Sequence, residues 1–108
     1  MKHRVRLDFE VSWMLSTSKL LDDPMGRQIK HLGRELPYRV YLVPTNELLS
    51  DRMFELYDQY YVLETHHLEL DPGQWTIAVE DVTGWLDLEI KNVKLNSVSI
   101  PTPVFTLD

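Results

Sequence analysis

Two adjacent histidines lie among acidic residues in the stretch from Leu63 to Trp75, LETHHLELDPGQW. Imidazole and carboxylate groups are the side chains that bind zinc and related ions. A β-strand sends neighbouring side chains to opposite faces, so the two histidines could not hold one ion together. The residues that would share a face are His67, Glu69 and Asp71. They are the candidate metal ligands, although a plain strand that enters the turn after it is the favoured interpretation.

The same stretch offers a ligand site of another kind. An exposed indole can stack on a sugar or a base, so Trp75 with His67 and Glu69 forms an alternative ligand-binding or metal-binding set. Nucleic acid is not an expected ligand, because it would require a continuous basic stripe. The strand at residues 3–14 instead balances two arginines with two acids.

Local signatures of catalysis are absent from the sequence. There is no G-x-S-x-G, P-loop, H-E-x-x-H or dinucleotide-binding pattern. Adjacent carboxylates have structural explanations: Asp22 and Asp23 suit a helix N-terminus, and Asp87 and Glu89 suit the polar face of a strand. The sequence therefore predicts no catalytic residue and no cofactor, and it favours a non-enzymatic protein. A triad assembled from distant positions stays open.

Charge is distributed unevenly along the 108 residues, whose net charge is −6. Residues 1–39 contain eight Lys or Arg and five acids, which gives +3, whereas residues 40–108 contain three bases and twelve acids, which gives −9. A surface of one sign attracts partners of the other sign. An acidic second half would steer a basic partner, although solubility is the favoured explanation of the asymmetry.

Several classes of protein are excluded or disfavoured by composition. The chain has no cysteine, so disulfides, thiolate metal sites and a cysteine nucleophile are excluded. The first residues are charged and lack the apolar run of a signal peptide, and no apolar stretch is long enough to span a membrane. A 44% apolar content is sufficient for a core. We expect a soluble cytoplasmic protein that forms one domain over residues 1–108.

Residues 46–63 show the clearest helical periodicity in the chain. Apolar residues recur there at steps of four and three, which is typical of one helix face: Leu49, Met53, Leu56, Tyr60 and Leu63. A second series lies two residues earlier, about 200° away around a helix, and is entirely acidic: Glu47, Asp51, Glu55 and Asp58. The spacing predicts a long amphipathic helix with an acidic outer face.

Such an acidic face would reduce helix stability. Like charges at i and i+4 cost roughly 0.2–0.5 kcal/mol per pair, and Arg52 is the only base between residues 46 and 63. Docking of another protein with a basic surface would explain why the cost is tolerated, and Tyr57 and Tyr61 would then add contact area. Neutralisation within the fold by bases such as Arg27 or Arg34 is the alternative explanation.

The remaining elements place this helix in a fold. Residues 3–14 alternate as a strand, a short helix is predicted near 24–32 between Pro24 and Gly33, and 38–43 is a second strand. Further strands joined by short turns follow residue 63, and the tail at 101–108 is extended. The pattern predicts an α+β fold with a mainly antiparallel sheet of about five to six strands. The alternative fold is an all-β sandwich with an inserted helix. The alternative function is that of a structural subunit, which would form homo-oligomers through an edge strand.

Overall fold

Every regular element in the described part of the chain is a β-strand. The computed structural model describes residues 1–15, 35–55, 61–82 and 86–108. Its strands in chain order are β1 His3–Leu15, β2 Glu35–Val43, β3 Glu47–Glu55, β4 Tyr61–Leu70, β5 Gly73–Asp81, β6 Leu86–Leu95, β7 Val98–Ser99 and β8 Val104–Leu107. They form two four-stranded antiparallel sheets, which we call sheet A (β4-β1-β6-β7) and sheet B (β3-β2-β5-β8).

Strand β1 is the centre of sheet A and confirms the predicted strand at residues 3–14. It pairs with β4 on one side and with β6 on the other. The alternate apolar side chains predicted to share a face are all buried, at 8% exposure or less: Val5, Leu7, Phe9, Val11 and Trp13. Because both edges of β1 are paired, its inner face forms a continuous apolar ridge along the middle of the sheet.

Sheet B covers this ridge. Its central strand β2 directs Tyr38, Val40 and Leu42 inward, and all three side chains are fully buried. Ile77 from β5 and Phe105 from β8 join the same hydrophobic cluster as the inner residues of β1. The two sheets therefore pack face to face as a sandwich, and the extended tail predicted after residue 101 supplies the edge strand β8.

The prediction of an α+β fold with a helix over residues 46–63 is wrong. Residues 47–55 form β3, which pairs with β2, and β4 begins at Tyr61. The all-β sandwich considered as the alternative agrees better with the structure, although the described residues contain no inserted helix. The short helix predicted near 24–32 lies outside the described residues.

A β-bulge explains why the strand at residues 47–55 resembled a helix in the sequence. The register between β2 and β3 shifts at Val40 and Tyr41, which face Ser50 and Leu48, so Leu49 is an extra residue. The bulge breaks the two-residue alternation that identifies a strand. A turn with Asn46 at a φ of 58° precedes β3 and reverses the chain into a hairpin with β2.

The hairpin between β6 and β7 is fixed to the beginning of β1. Asn96 and Ser97 have positive φ angles of 50° and 70°, as a tight two-residue hairpin turn requires. The Arg6 N–H donates to Asn96 Oδ1 at 2.9 Å, and the Asn96 N–H donates to the Arg6 carbonyl at 2.8 Å. The backbone groups of Arg6 therefore point toward β6 and away from β4.

In the described ranges, no helix has the length and apolar content needed to cross a bilayer.

Shortening a side chain of the β1 ridge should destabilise the sandwich. Leu7 is completely buried, so we expect Leu7→Ala to lower the free energy of unfolding by about 2–5 kcal/mol through lost burial and a cavity. Leu63→Ala is the matched control because that leucine is 68% exposed, and we expect its effect to stay within about 0.5 kcal/mol. Urea denaturation measures both. Equal losses for the two variants would contradict the described packing.

Candidate functional site

The acidic residues predicted to form one helix face do not share a surface. Glu47 lies opposite Leu42 and Asp51 lies opposite Arg39, so the register directs the two acids to opposite faces of sheet B. Asp51 also forms an exposed ion pair with Arg39 at 3.7 Å. The other members of the predicted partner-binding set, apart from Tyr61, lie outside what the structure describes: the Glu55 side chain, Tyr57 and Asp58. The prediction that a helix with an acidic face binds the partner is therefore wrong.

The candidate metal and ligand residues do not form a site. His67 and Glu69 are exposed on the outer face of β4, and Glu69 forms an ion pair with Arg4 at 3.4 Å. Trp75 is buried in sheet B, where its indole N–H donates to the Asp71 carbonyl at 3.0 Å. Its ring is thus part of the core and not a platform beside His67. Among the described residues, no group of three His, Cys, Asp or Glu side chains could hold a metal ion.

A buried carboxylate joins the two sheets. Glu64 lies on the inner face of β4, and its residue is only 2% exposed. Its Oε2 accepts a hydrogen bond of 2.7 Å from the Tyr38 hydroxyl of β2, and its Oε1 lies 2.8 Å from His66 Nε2. The His66 ring stacks on Phe9, with 5.6 Å between ring centroids. The sequence analysis did not identify this cluster.

The surroundings of Glu64 favour its ionised form. Burial alone would raise the pKa of the Glu64 carboxyl, but hydrogen bonds from His66 and Tyr38 and the positive charge of Arg52 outweigh burial and lower it. The buried Ser50 hydroxyl is close enough to act in the same direction, although it completes no hydrogen bond of ordinary geometry. Burial and the neighbouring carboxylate raise the pKa of Tyr38, so this hydroxyl remains a donor.

The Glu64 cluster is closed to ligands. The Glu64 side chain has no exposed surface, and the His66 side chain is 15% exposed. A buried charge with several hydrogen bonds holds its neighbours in one arrangement, and removal of one partner is strongly unfavourable. We interpret the cluster as a connection between sheet A and sheet B that also positions β4.

An open groove lies on the other side of sheet A. Near the end of β1, the side chains of Met14 and Tyr61 border a depression of about 540 Å³ on the outer face. Met14 is 63% exposed and Tyr61 is 54% exposed. The β-register places Ser12 between Tyr61 of β4 and Glu89 of β6, so three strands contribute to one site. We call this depression the outer groove.

The outer groove combines apolar surface with negative charge. Its lining includes three carboxylates and one ammonium group, contributed by Glu10, Asp87, Glu89 and Lys91. Lys91 contacts Glu89 at 3.5 Å in an exposed pair, which water and salt weaken. The excess of carboxylates beside an exposed methionine and tyrosine suits a ligand that is both cationic and partly apolar. Of the predicted site residues that the structure describes, Tyr61 lies in this groove.

Comparison with known proteins identifies no relative: no protein family, no protein of described function and no solved structure matches the chain.

Loss of the buried hydroxyl should destabilise the protein much more than loss of an exposed one. Tyr38→Phe removes a hydrogen bond to a buried carboxylate, so we expect a loss of about 1.5–3 kcal/mol in unfolding free energy. Tyr41→Phe is the matched control, because its hydroxyl donates to Glu80 at 2.9 Å in an exposed position. We expect a loss below about 0.5 kcal/mol for that variant. Chemical denaturation measures the unfolding free energy of both variants, and similar losses would contradict the role of Glu64 in joining the two sheets.

Acid should weaken the sandwich through Glu64. Its pKa is lower in the folded protein than the ordinary value of 4.5, so its stabilising contribution is complete at higher pH and disappears as the pH falls through the folded value. We expect the free energy of unfolding to decrease progressively below about pH 4.5. Glu64→Gln should make that acid-limb slope smaller. An unchanged slope in the variant, measured by urea denaturation at several pH values, would argue against an ionised Glu64.

Proposed function

We propose that this protein is a non-enzymatic interaction module that holds a basic, partly apolar segment of another protein in the outer groove. The observation that carries the proposal is the meeting of exposed Met14 and Tyr61 with a majority of carboxylates in one depression. The partner class is the one expected from the acidic second half of the chain. The binding element, however, is the face of a sheet and not a helix.

Contact energy would come from the apolar members of the groove. Tyrosine supplies a large, rigid contact surface, and aromatic anchors contribute much of the affinity of protein interfaces. Methionine adapts its shape to different partners because its side chain is unbranched and polarisable. Leu63, which is 68% exposed, follows Tyr61 by two residues on the same face of β4 and extends the apolar border.

Charge would supply attraction and orientation. Glu10 of β1 and Glu89 of β6 line the groove from two strands, so a cationic segment would meet negative charge from both. Complementary charge mainly raises the association rate and disfavours partners of the wrong sign. Binding of this kind should weaken as salt concentration rises, because exposed charges are screened. The cytoplasmic location expected from the sequence stays a prediction.

A pair of synthetic peptides tests the proposed function. We expect a peptide of about ten residues that alternates lysine with leucine and serine to shift the amide NMR resonances of the outer groove. Its counterpart with glutamate in place of lysine should not. Tyr61→Ala should weaken binding roughly tenfold or more through loss of the aromatic anchor. Glu10→Lys should also weaken binding of the lysine peptide, and this loss should be larger at low salt than at high salt.

Glu47→Lys is the matched control for charge, because Glu47 is an exposed acid on sheet B, outside the groove. We expect this variant to bind the lysine peptide like the unmodified protein. Equal binding of both peptides, or shifts confined to sheet B, would overturn the proposal.

A further inference from the structure

The four sheet edges in the described ranges differ in how they are protected. Strand β7 has two residues, and β8 has four residues that follow Pro101 and Pro103. Strand β3 is interrupted by its bulge against β2. Short length, proline and bulges are the usual devices that prevent a sheet edge from pairing with another chain. Each of these three edges therefore carries at least one such device.

Strand β4 lacks these devices. It has ten residues, it contains no proline, glycine, lysine or arginine, and its register with β1 is uninterrupted over ten pairs. Its two carboxylates are both partnered: Glu64 points inward to Tyr38 and His66, and Glu69 pairs with Arg4 on the outer face. This edge is the longest regular one in the described structure and the best suited to accept a further strand.

The direction of the free backbone groups on β4 follows from the contacts of β1. Because Arg6 exchanges hydrogen bonds with Asn96, the even-numbered residues of β1 point their backbone groups toward β6. The odd-numbered residues of β1 then bond to their partners on β4, which are the even-numbered ones. The residues of β4 that direct N–H and C=O groups outward are therefore Tyr61, Leu63, Thr65, His67 and Glu69.

We propose that β4 pairs with β4 of a second copy of this chain, antiparallel and about a twofold axis at Thr65. In this register each outward-directed residue meets an outward-directed residue of the other copy: Thr65 faces itself, Leu63 faces His67, and Tyr61 faces Glu69. These pairs would exchange about ten backbone hydrogen bonds. The two copies of sheet A would then form one continuous sheet across the axis.

The inner face of β4 selects this register over its neighbours. With the axis at Thr65, Glu64 lies opposite His66 of the second copy, and Val62 lies opposite Leu68. A shift of the axis to Glu64 would place two buried carboxylates opposite each other, which is unfavourable. A shift to His66, Leu63 or His67 would set Glu64 opposite an apolar residue, and a shift to Leu63 or His67 would also leave fewer residues paired. Only the Thr65 register combines long overlap with complementary inner side chains.

Charge on the outer face does not oppose this arrangement. Across the axis Tyr61 faces Glu69, whose carboxylate is already paired with Arg4 at 3.4 Å. Arg6 likewise contacts Asp8 at 3.1 Å, so the two arginines at that end of sheet A are balanced within each copy. No two like charges lie opposite each other on the outer face of the paired strands.

A set of single-cysteine variants tests the register, because the natural chain has no cysteine. Two residues that face each other across the axis have Cα atoms about 5.5 Å apart, which a disulfide can span. We expect Thr65→Cys to form an intermolecular disulfide at least tenfold faster than Leu63→Cys or His67→Cys. The latter two residues would be about 14 Å from their own copies along the strands. Fastest cross-linking at 63 or 67, or equal rates at all three positions, would overturn the proposal.

Sedimentation velocity across concentration tests the pairing itself. We expect the 12.8 kDa chain to approach twice that mass as concentration rises. Thr65→Lys should hold it at the monomer mass, because two ammonium groups would meet at the axis. Thr106→Lys, the same change at an exposed position of β8, should dimerise normally. Circular dichroism melts should show both variants folded. A monomer at every concentration, or equal dimerisation of the two variants, would refute the pairing.

Discussion

The inner face of β1 is apolar along its whole length and must be buried, and the arrangement of the other strands follows from this constraint. Five large apolar side chains alternate along this strand and are buried, while both of its edges are occupied by β4 and β6. This face can then be buried only by elements that pack on it from the facing sheet, and β2, β5 and β8 do so. Once this face is closed, the opposite face of sheet A becomes the available surface, and the outer groove is on that face.

Among the described residues, Glu64 is the buried charged group between the sheets, in an interior that is otherwise apolar apart from Ser50 and the Tyr38 hydroxyl. A carboxylate there is tolerated because the Tyr38 hydroxyl comes from the facing sheet and His66 from the next inward position of β4. The hydrogen bonds have direction, which apolar contacts lack, so they restrict how β4 can slide or rotate against sheet B. The strand that borders the outer groove is thereby held by a polar contact on its concealed side.

The sequence indicated some of these features and concealed others. Strand β1 was predictable because strict alternation over ten residues has no helical counterpart. Residues 47–55 were misread because the bulge at Leu49 removes alternation and leaves apolar residues at helix-like spacing. The Glu64 cluster could not be predicted, because the donor Tyr38 is 26 positions away and only the folded chain brings it near. The groove likewise depends on Ser12, Tyr61 and Glu89 meeting in register, which local patterns do not contain.

The inward carboxylate of β4 also bears on how copies of the chain can accumulate. Fibrils stack identical strands in parallel register at about 4.8 Å, which would place each Glu64 directly above another in a dry interface. That ladder of like charges opposes unlimited growth. A twofold antiparallel pair instead sets the carboxylate against an imidazole and uses the β4 edge of both copies, so a third copy cannot pair there. The same residue that joins the two sheets would thus permit a closed pair and act as a gatekeeper against amyloid.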